Sequence, residues 1–169
     1  SYAACAAAAD GVRLAALLVD LPPCVLTTTH FTAVARDTAE RVGATVEVIR
    51  GEALRDAGYG GLWGVGKAAE EPPALVVLTK TFAGGGKDAC ALVGKGIVFD
   101  TGGLSIKATA GMCGMKMDCG GAAACLASFE ATCALGGPAG FGTLHCVLCL
   151  AENALGPASV RNDDVIQFI

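Results

Sequence analysis

The chain has 169 residues, 53% of them apolar and 17% charged, and its 12 basic against 16 acidic side chains leave a net charge of −4. That composition excludes a disordered or solvating segment and is enough for one domain with its own core. There is no basic stripe interleaved with aromatics, so no nucleic acid partner is expected.

In chain order, residues 1–20 are rich in alanine and leucine at helical spacing and stop at Pro22-Pro23. They lack the basic start of a signal peptide. The longest apolar candidate, Leu14 to Leu21, is interrupted by Asp20, so no membrane span is expected. Thr27-Thr28-Thr29 offers a cap to a helix over Phe31 to Val42, with Phe31, Val34, Ala35 and Val42 as its apolar stripe. Gly43 stops that helix, and Ala44 to Ile49 alternates as a strand does. Glu52 to Glu71 reads as one or two short helices broken at Gly58 to Gly61. Ala74 to Thr79 and Ala91 to Phe99 are apolar strands, and the Gly84-Gly85-Gly86-Lys87-Asp88 loop predicts a hairpin-like connection between them. Gly120 to Leu135 reads as a small-residue helix closed by Gly136-Gly137-Pro138, and Leu144 to Ala151 as a buried strand. The alternation predicts an α/β fold over residues 1–169, with a mixed, largely parallel sheet flanked by helices. Functional residues gather just beyond strand ends in such sheets, where Asp100 and Glu152-Asn153 fall.

Nine cysteines are an odd number in a chain too large to need a disulfide framework, and they read as small buried hydrophobes. Cys146 and Cys149 have CxxC spacing, but a strand sends them to opposite faces. His30 and His145 are too isolated for a metal site and read as structural. The chain starts at Ser1, and Val165-Ile-Gln-Phe-Ile169 reads as an apolar strand with no turn after it. Both ends therefore suggest a fragment, with an exposed edge prone to aggregate.

Between positions 95 and 118, Lys95, Asp100, Lys107 and Asp118 lie among glycine and apolar residues. Two lysines and two aspartates in that setting are what a metal-assisted hydrolytic site needs. Lys95 and Asp100 are an odd number of positions apart, so a regular strand opposes them, and they converge only if the strand bends or ends before Asp100. Thr101-Gly102-Gly103 supplies such a turn. A buried Lys95 beside a dication would lose its proton and offer an amine, and Asp100 and Asp118 would offer hard oxygens suited to zinc, manganese or magnesium. Two ions about 3.5–4 Å apart could share a water and lower its pKa towards ~7. A protonated Lys107 would polarise a carbonyl and stabilise the oxyanion. The plainer alternatives are an Asx turn at Asp100, a surface Lys107 and an N-cap role for Asp118. An aspartic protease needs two Asp-Thr-Gly lobes in an all-β fold, and the single copy in a helix-containing chain argues against it. The lysine-containing glycine loops lack the hydroxyl of a phosphate-binding loop.

At these residues the chain resembles the leucyl aminopeptidase (M17) family of dinuclear metallo-exopeptidases. Val93-Gly-Lys-Gly-Ile-Val-Phe-Asp-Thr-Gly-Gly-Leu-Ser-Ile-Lys107 looks like its first metal-binding motif, and Met115-Lys-Met-Asp-Cys-Gly-Gly-Ala-Ala-Ala124 like its second. Cys149-Leu-Ala-Glu-Asn153 and Arg161-Asn-Asp-Asp-Val-Ile166 are similar to the segment leading towards its third. Asp-Thr-Gly-Gly-Leu and the Pro157 to Asp164 segment look closest to the probable aminopeptidase-like branch.

The resemblance implies that Lys95, Asp100 and Asp118 are metal ligands, Lys107 a catalytic electrophile and Met115 part of the pocket for the substrate's N-terminal side chain. All five would contact substrate or the ions beside it. It further implies two divalent ions, zinc or manganese with magnesium also admissible, and release of an N-terminal residue, often leucine, from peptides by a bridging hydroxide. A cytoplasmic or organellar homohexamer follows from the same resemblance. The family also carries an Asn-Thr-Asp-Ala-Glu-Gly-Arg motif with two further carboxylate ligands, and a smaller preceding domain; neither occurs here. The chain therefore reads as the N-terminal part of an M17-like catalytic domain, inactive alone. The rival reading is a non-catalytic structural or regulatory subunit.

Overall fold

A computed structural model describes residues 1–168. Helix α1 (Tyr2–Asp20) ends at Leu21, before Pro22. Helix α2 (Thr28–Val42) is capped by the Thr27 side chain, which accepts from the His30 N–H, and ends at Gly43 in the left-handed conformation. Strand β1 (Thr45–Arg50) leads to the short helices α3 (Glu52–Asp56) and α4 (Gly60–Gly66). Strands β2 (Ala74–Thr81) and β3 (Ala89–Asp100) follow, then the single turn α5 (Thr109–Met112) and a 3₁₀ turn over Met115–Cys119. Helix α6 (Gly120–Ala134) and strand β4 (Thr143–Asn153) complete the order.

The fold class is α/β with a mixed four-stranded sheet in the order β1-β2-β4-β3. Only β3 and β4 run parallel; β1 with β2 and β2 with β4 are antiparallel. The largely parallel expectation is corrected to that extent, and so is the hairpin. β4 enters between β2 and β3, so the Gly84 to Asp88 loop joins strands that are not neighbours. Val165 to Phe168 form no strand, and Ile169 lies outside the described residues.

The core lies on one sheet face. There Val76 and Leu78 of β2 and Cys146, Leu148 and Leu150 of β4 pack with Phe31 and Ala35 of α2 and Leu126 and Phe129 of α6. Apart from Glu130, which pairs with Arg41, helix α6 is built of apolar and small residues, and it is wedged between α1 and the sheet. Cys146 lies in this core while Cys149 lines an open cleft on the opposite face. Burial pushes the Cys146 thiol up to about 12 and the Cys133 thiol to about 11, so both stay protonated at neutral pH. The membrane expectation needs one correction: α1 is long and apolar enough to cross a bilayer by length and composition. In the fold it lies against α6, where its Gly11 meets Ala127.

Candidate metal centre

The centre begins with glycine. A Cβ at Gly94 would lie 2.6 Å from the Ala122 Cα, and one at Gly121 would lie 3.1 Å from the Lys95 carbonyl oxygen. Bare glycines therefore let the start of α6 press onto β3 at Lys95. The 3₁₀ turn immediately precedes α6, so this contact delivers Asp118 to Lys95, with Nζ and Oδ1 2.9 Å apart. Asp118 does not cap α6; Cys119 occupies the cap position and makes no side-chain cap bond. The other oxygen of Asp118, Oδ2, is buried and has no hydrogen-bond partner among the described residues. Leaving such an acceptor unsatisfied costs about 1–3 kcal/mol.

A bulge brings in Asp100. Ile97 faces Ala151 of β4 and Asp100 faces Asn153, so three steps along β3 match two along β4. On the count of β4, Lys95 (opposite Cys149) and Asp100 (opposite Asn153) are four apart, the even spacing that shares a face. The extra residue inside β3 thus resolves the parity conflict that the sequence assigned to the following turn. That turn does other work. Gly102 and Gly103 both have positive φ, 85° and 65°, and a Cβ at Gly102 would meet the Ser105 carbonyl at 2.5 Å. The chain doubles back so that the Lys107 N–H donates to the Thr101 carbonyl, and Lys107 Nζ reaches Asp100 Oδ2 at 2.9 Å. The Gly102 N–H donates to Asp100 Oδ1 at 2.9 Å, so the Asx turn is present as well as the ion pair.

Burial pushes the Asp100 carboxyl up, but hydrogen bonds from Lys107, Gly102 and Asn153 outweigh it and hold the group below the ordinary carboxylate value. The hydrogen bond to Asp100 raises Lys107, with burial opposing and the charges of Asp100 and Asp118 adding to the rise. Lys107 therefore stays protonated, as the electrophile role requires. Its side chain is 32% exposed and that of Asp100 16%, so Lys107 is not a free surface lysine. Lys95 is 63% exposed, which corrects the expectation that it is buried.

The sign of the pH dependence follows. Stability from the lowered Asp100 is present above pH 3.8 and is lost as pH falls through its lower folded value. Stability from the raised Lys107 is present below pH 10.5 and lost as pH rises through its higher folded value. In Lys107→Met, Asp100 loses its first-named stabilising partner. The melting temperature of that variant is expected to fall less steeply than the wild type between pH 5 and 3, and thermal melts across that range check it.

Two carboxylates and an amine suit a hard divalent ion, and the buried, unpartnered Asp118 Oδ2 is the strongest sign that these residues fit one. The set is partial, since no three His, Cys, Asp or Glu side chains converge among the described residues. Clefts of about 570, 490 and 410 Å³ lie elsewhere and none includes any of the four residues. Met115, half-buried in the same 3₁₀ turn as Asp118, is near the centre in sequence and outside those clefts too. His30 and His145 stay apart, each hydrogen-bonded to a threonine. Asn153, named in the sequence only as a strand-end residue, bonds directly to Asp100. Its signal was its place at the carboxyl end of β4.

Fold and site together define an α/β domain with a carboxylate and lysine centre at the carboxyl end of a parallel strand pair. Residues 13–169 match the Peptidase M17 family, described as "Cytosol aminopeptidase family, catalytic domain", and the chain belongs to that family. It is 49% identical over 158 residues to the "Probable aminopeptidase NPEPL1" of Homo sapiens, covering 94% of this chain and 29% of that one. To "Leucine aminopeptidase 1" of Caenorhabditis elegans it is 43% identical, covering 95% and 32%. The leucyl aminopeptidase of Trypanosoma brucei in complex with actinonin superposes with a TM-score of 0.90 at 48% identity, over 95% of this chain and 30% of that one. The bottromycin maturation enzyme BotP in complex with Mn gives 0.84 at 38% identity, over 95% and 34%. The chain thus spans about three tenths of the length of its relatives.

Proposed function

We propose that this chain is part of a metal-dependent aminopeptidase that releases N-terminal, leucine-like residues from peptides. The observation that carries the reading is the two ion pairs, Lys95–Asp118 and Lys107–Asp100, near enough for the Asp118 charge to act on Lys107, with Asp118 Oδ2 buried and unpartnered among the described residues. The names of the relatives, and the Mn complex of BotP, support it. Lys95, Asp100 and Asp118 would hold two divalent ions, zinc or manganese. When bound, they would supply a water acidified towards ~7 and would polarise the scissile carbonyl.

The chain's own residues supply the rest. Asp100 keeps Lys107 charged and fixed in direction, so its ammonium can donate to the oxygen on which negative charge develops. Asp118, beside Lys95, holds that amine at the centre. Met115 shares the turn of Asp118 and can offer an adaptable apolar wall to the substrate's N-terminal side chain. A homohexamer and a cytoplasmic location follow from the family resemblance, and the cytosol aminopeptidase names of the Rhodococcus and Bacillus relatives support the location.

The test is hydrolysis of leucine-p-nitroanilide with added Mn²⁺ or Zn²⁺. The natural protein, with any flanking sequence kept, is expected to be active and to lose activity to a chelator. In Lys107→Met, kcat should fall about 100–1,000-fold, the size of one lost oxyanion donor. The 169 residues alone, with three ligand side chains, are expected to show no turnover. Activity of the isolated chain, or an unaffected Lys107→Met, would overturn the respective claim.

A further inference from the structure

The geometry points to Asn153 as the positioning residue that aims Asp100 into the metal centre; this inference rests on the metal-centre reading above. The β3 bulge sets Asn153 directly opposite Asp100, and its Nδ2 donates to Asp100 Oδ1 at 2.7 Å. A carboxylate oxygen only accepts, so the amide must face it with its NH₂ group. The Gly102 N–H donates to the same oxygen. Oδ1 is therefore held from two sides, by a side chain of β4 and by the turn, and Oδ2 is left to face Lys107. The two oxygens of one carboxylate are thereby given different roles, one as anchor and the other offered to the centre.

Asn153 also clamps the turn itself. Its carbonyl accepts from the Thr101 N–H at 3.0 Å and from Thr101 Oγ1 at 2.6 Å. Thr101 Oγ1 in turn accepts from the Gly103 N–H at 3.1 Å. A Cβ at Gly103 would come within 3.1 Å of Asn153 Oδ1, so a bare glycine lies beside the amide. The backbone contacts survive any side-chain substitution at 153, and this separates the side chain's role from the clamp. Asparagine suits the position because aspartate would set two carboxylates against each other, and leucine would leave Oδ1 with the Gly102 bond alone.

The test titrates the natural protein with Mn²⁺ by calorimetry and records the visible absorption of its Co²⁺ form, for wild type, Asn153→Leu, Asn153→Ala and Asp100→Asn. Asn153→Leu is expected to weaken Mn²⁺ binding about 10–100-fold, the usual effect of losing a group that orients a ligand, and to change the Co²⁺ spectrum. Asn153→Ala should do the same and serves if the leucine does not fold. A merely structural Asn153 would lower the metal-free melting temperature and leave affinity and spectrum unchanged, which would overturn the inference. If Asp100→Asn weakens binding while both Asn153 variants do not, only the role of Asn153 fails. If Asp100→Asn has no effect, or the wild type binds no Mn²⁺, the metal-centre reading fails with it.

Discussion

Replacing Gly94 with alanine is expected to lower the melting temperature by roughly 2–12 °C and to weaken metal binding. The new methyl would meet the Ala122 Cα at 2.6 Å, the Gly121 carbonyl oxygen at 2.7 Å and the Ala122 nitrogen at 2.8 Å. All three are backbone atoms, so no side chain can rotate out of the way. Either β3 bends or α6 lifts from it. Helix α6 is held on its other side by α1, and through Leu126 and Phe129 by the core, so it cannot shift without disturbing both. Overpacking of this kind costs about 1–3 kcal/mol, and each kcal/mol moves the melting temperature of a 150–250-residue domain by about 2–4 °C. The same displacement separates Asp118 from Lys95, so stability and metal affinity should fall together. Gly111→Ala is the control, because nothing lies within 4 Å of the position its Cβ would take. Alanine there should leave α5 unharmed or slightly firmer. Melting by circular dichroism decides it, and a Gly94→Ala protein within a degree of wild type would show that α6 is not packed as described.

Gly94 illustrates what the sequence could and could not reveal. Pro22-Pro23, Thr27 and Gly43 act on their immediate neighbours, so the ends of α1 and α2 were legible. Alternation marked β1, and apolar runs marked β2, β3 and β4. Which strand lies beside which depends on partners distant in sequence, so the insertion of β4 between β2 and β3 left no local trace. The 3₁₀ turn at Met115–Cys119 is too short for a period to show. In the centre, the four charged residues announced themselves by type and setting, but their pairing did not. The bulge at the end of β3 exists only relative to β4. It is what brings Lys95, Asp100 and Asn153 into one register. Asn153 itself looks like any polar strand-end residue until Asp100 is set opposite it.

Asp118→Ala is expected to reduce metal affinity by more than about 100-fold while costing the metal-free protein no more than about 1 kcal/mol of stability. A lost ligand should cost more than the 10–100-fold of a lost supporting group. Stability is the more telling half. The pair with Lys95 is largely solvent-exposed on the lysine side, and such pairs contribute about 0–1 kcal/mol. Against that, removing Asp118 also removes a buried, unpartnered Oδ2, whose burial costs about 1–3 kcal/mol. The two terms oppose each other, and the variant should melt within a few degrees of wild type, or above it. A residue kept for the fold would behave in the opposite way, losing stability and leaving metal binding alone. Asp118→Asn refines the comparison, since the amide keeps the shape and one acceptor but not the charge. Calorimetric titration with Mn²⁺, beside thermal melts in chelator, reads both quantities on the same protein. An unpartnered acceptor that costs stability and gains its partner only from a bound cation is the usual signature of a functional site. A large loss of metal-free stability in Asp118→Ala would instead make Asp118 a structural residue, and unchanged Mn²⁺ binding would remove it from the ligand set.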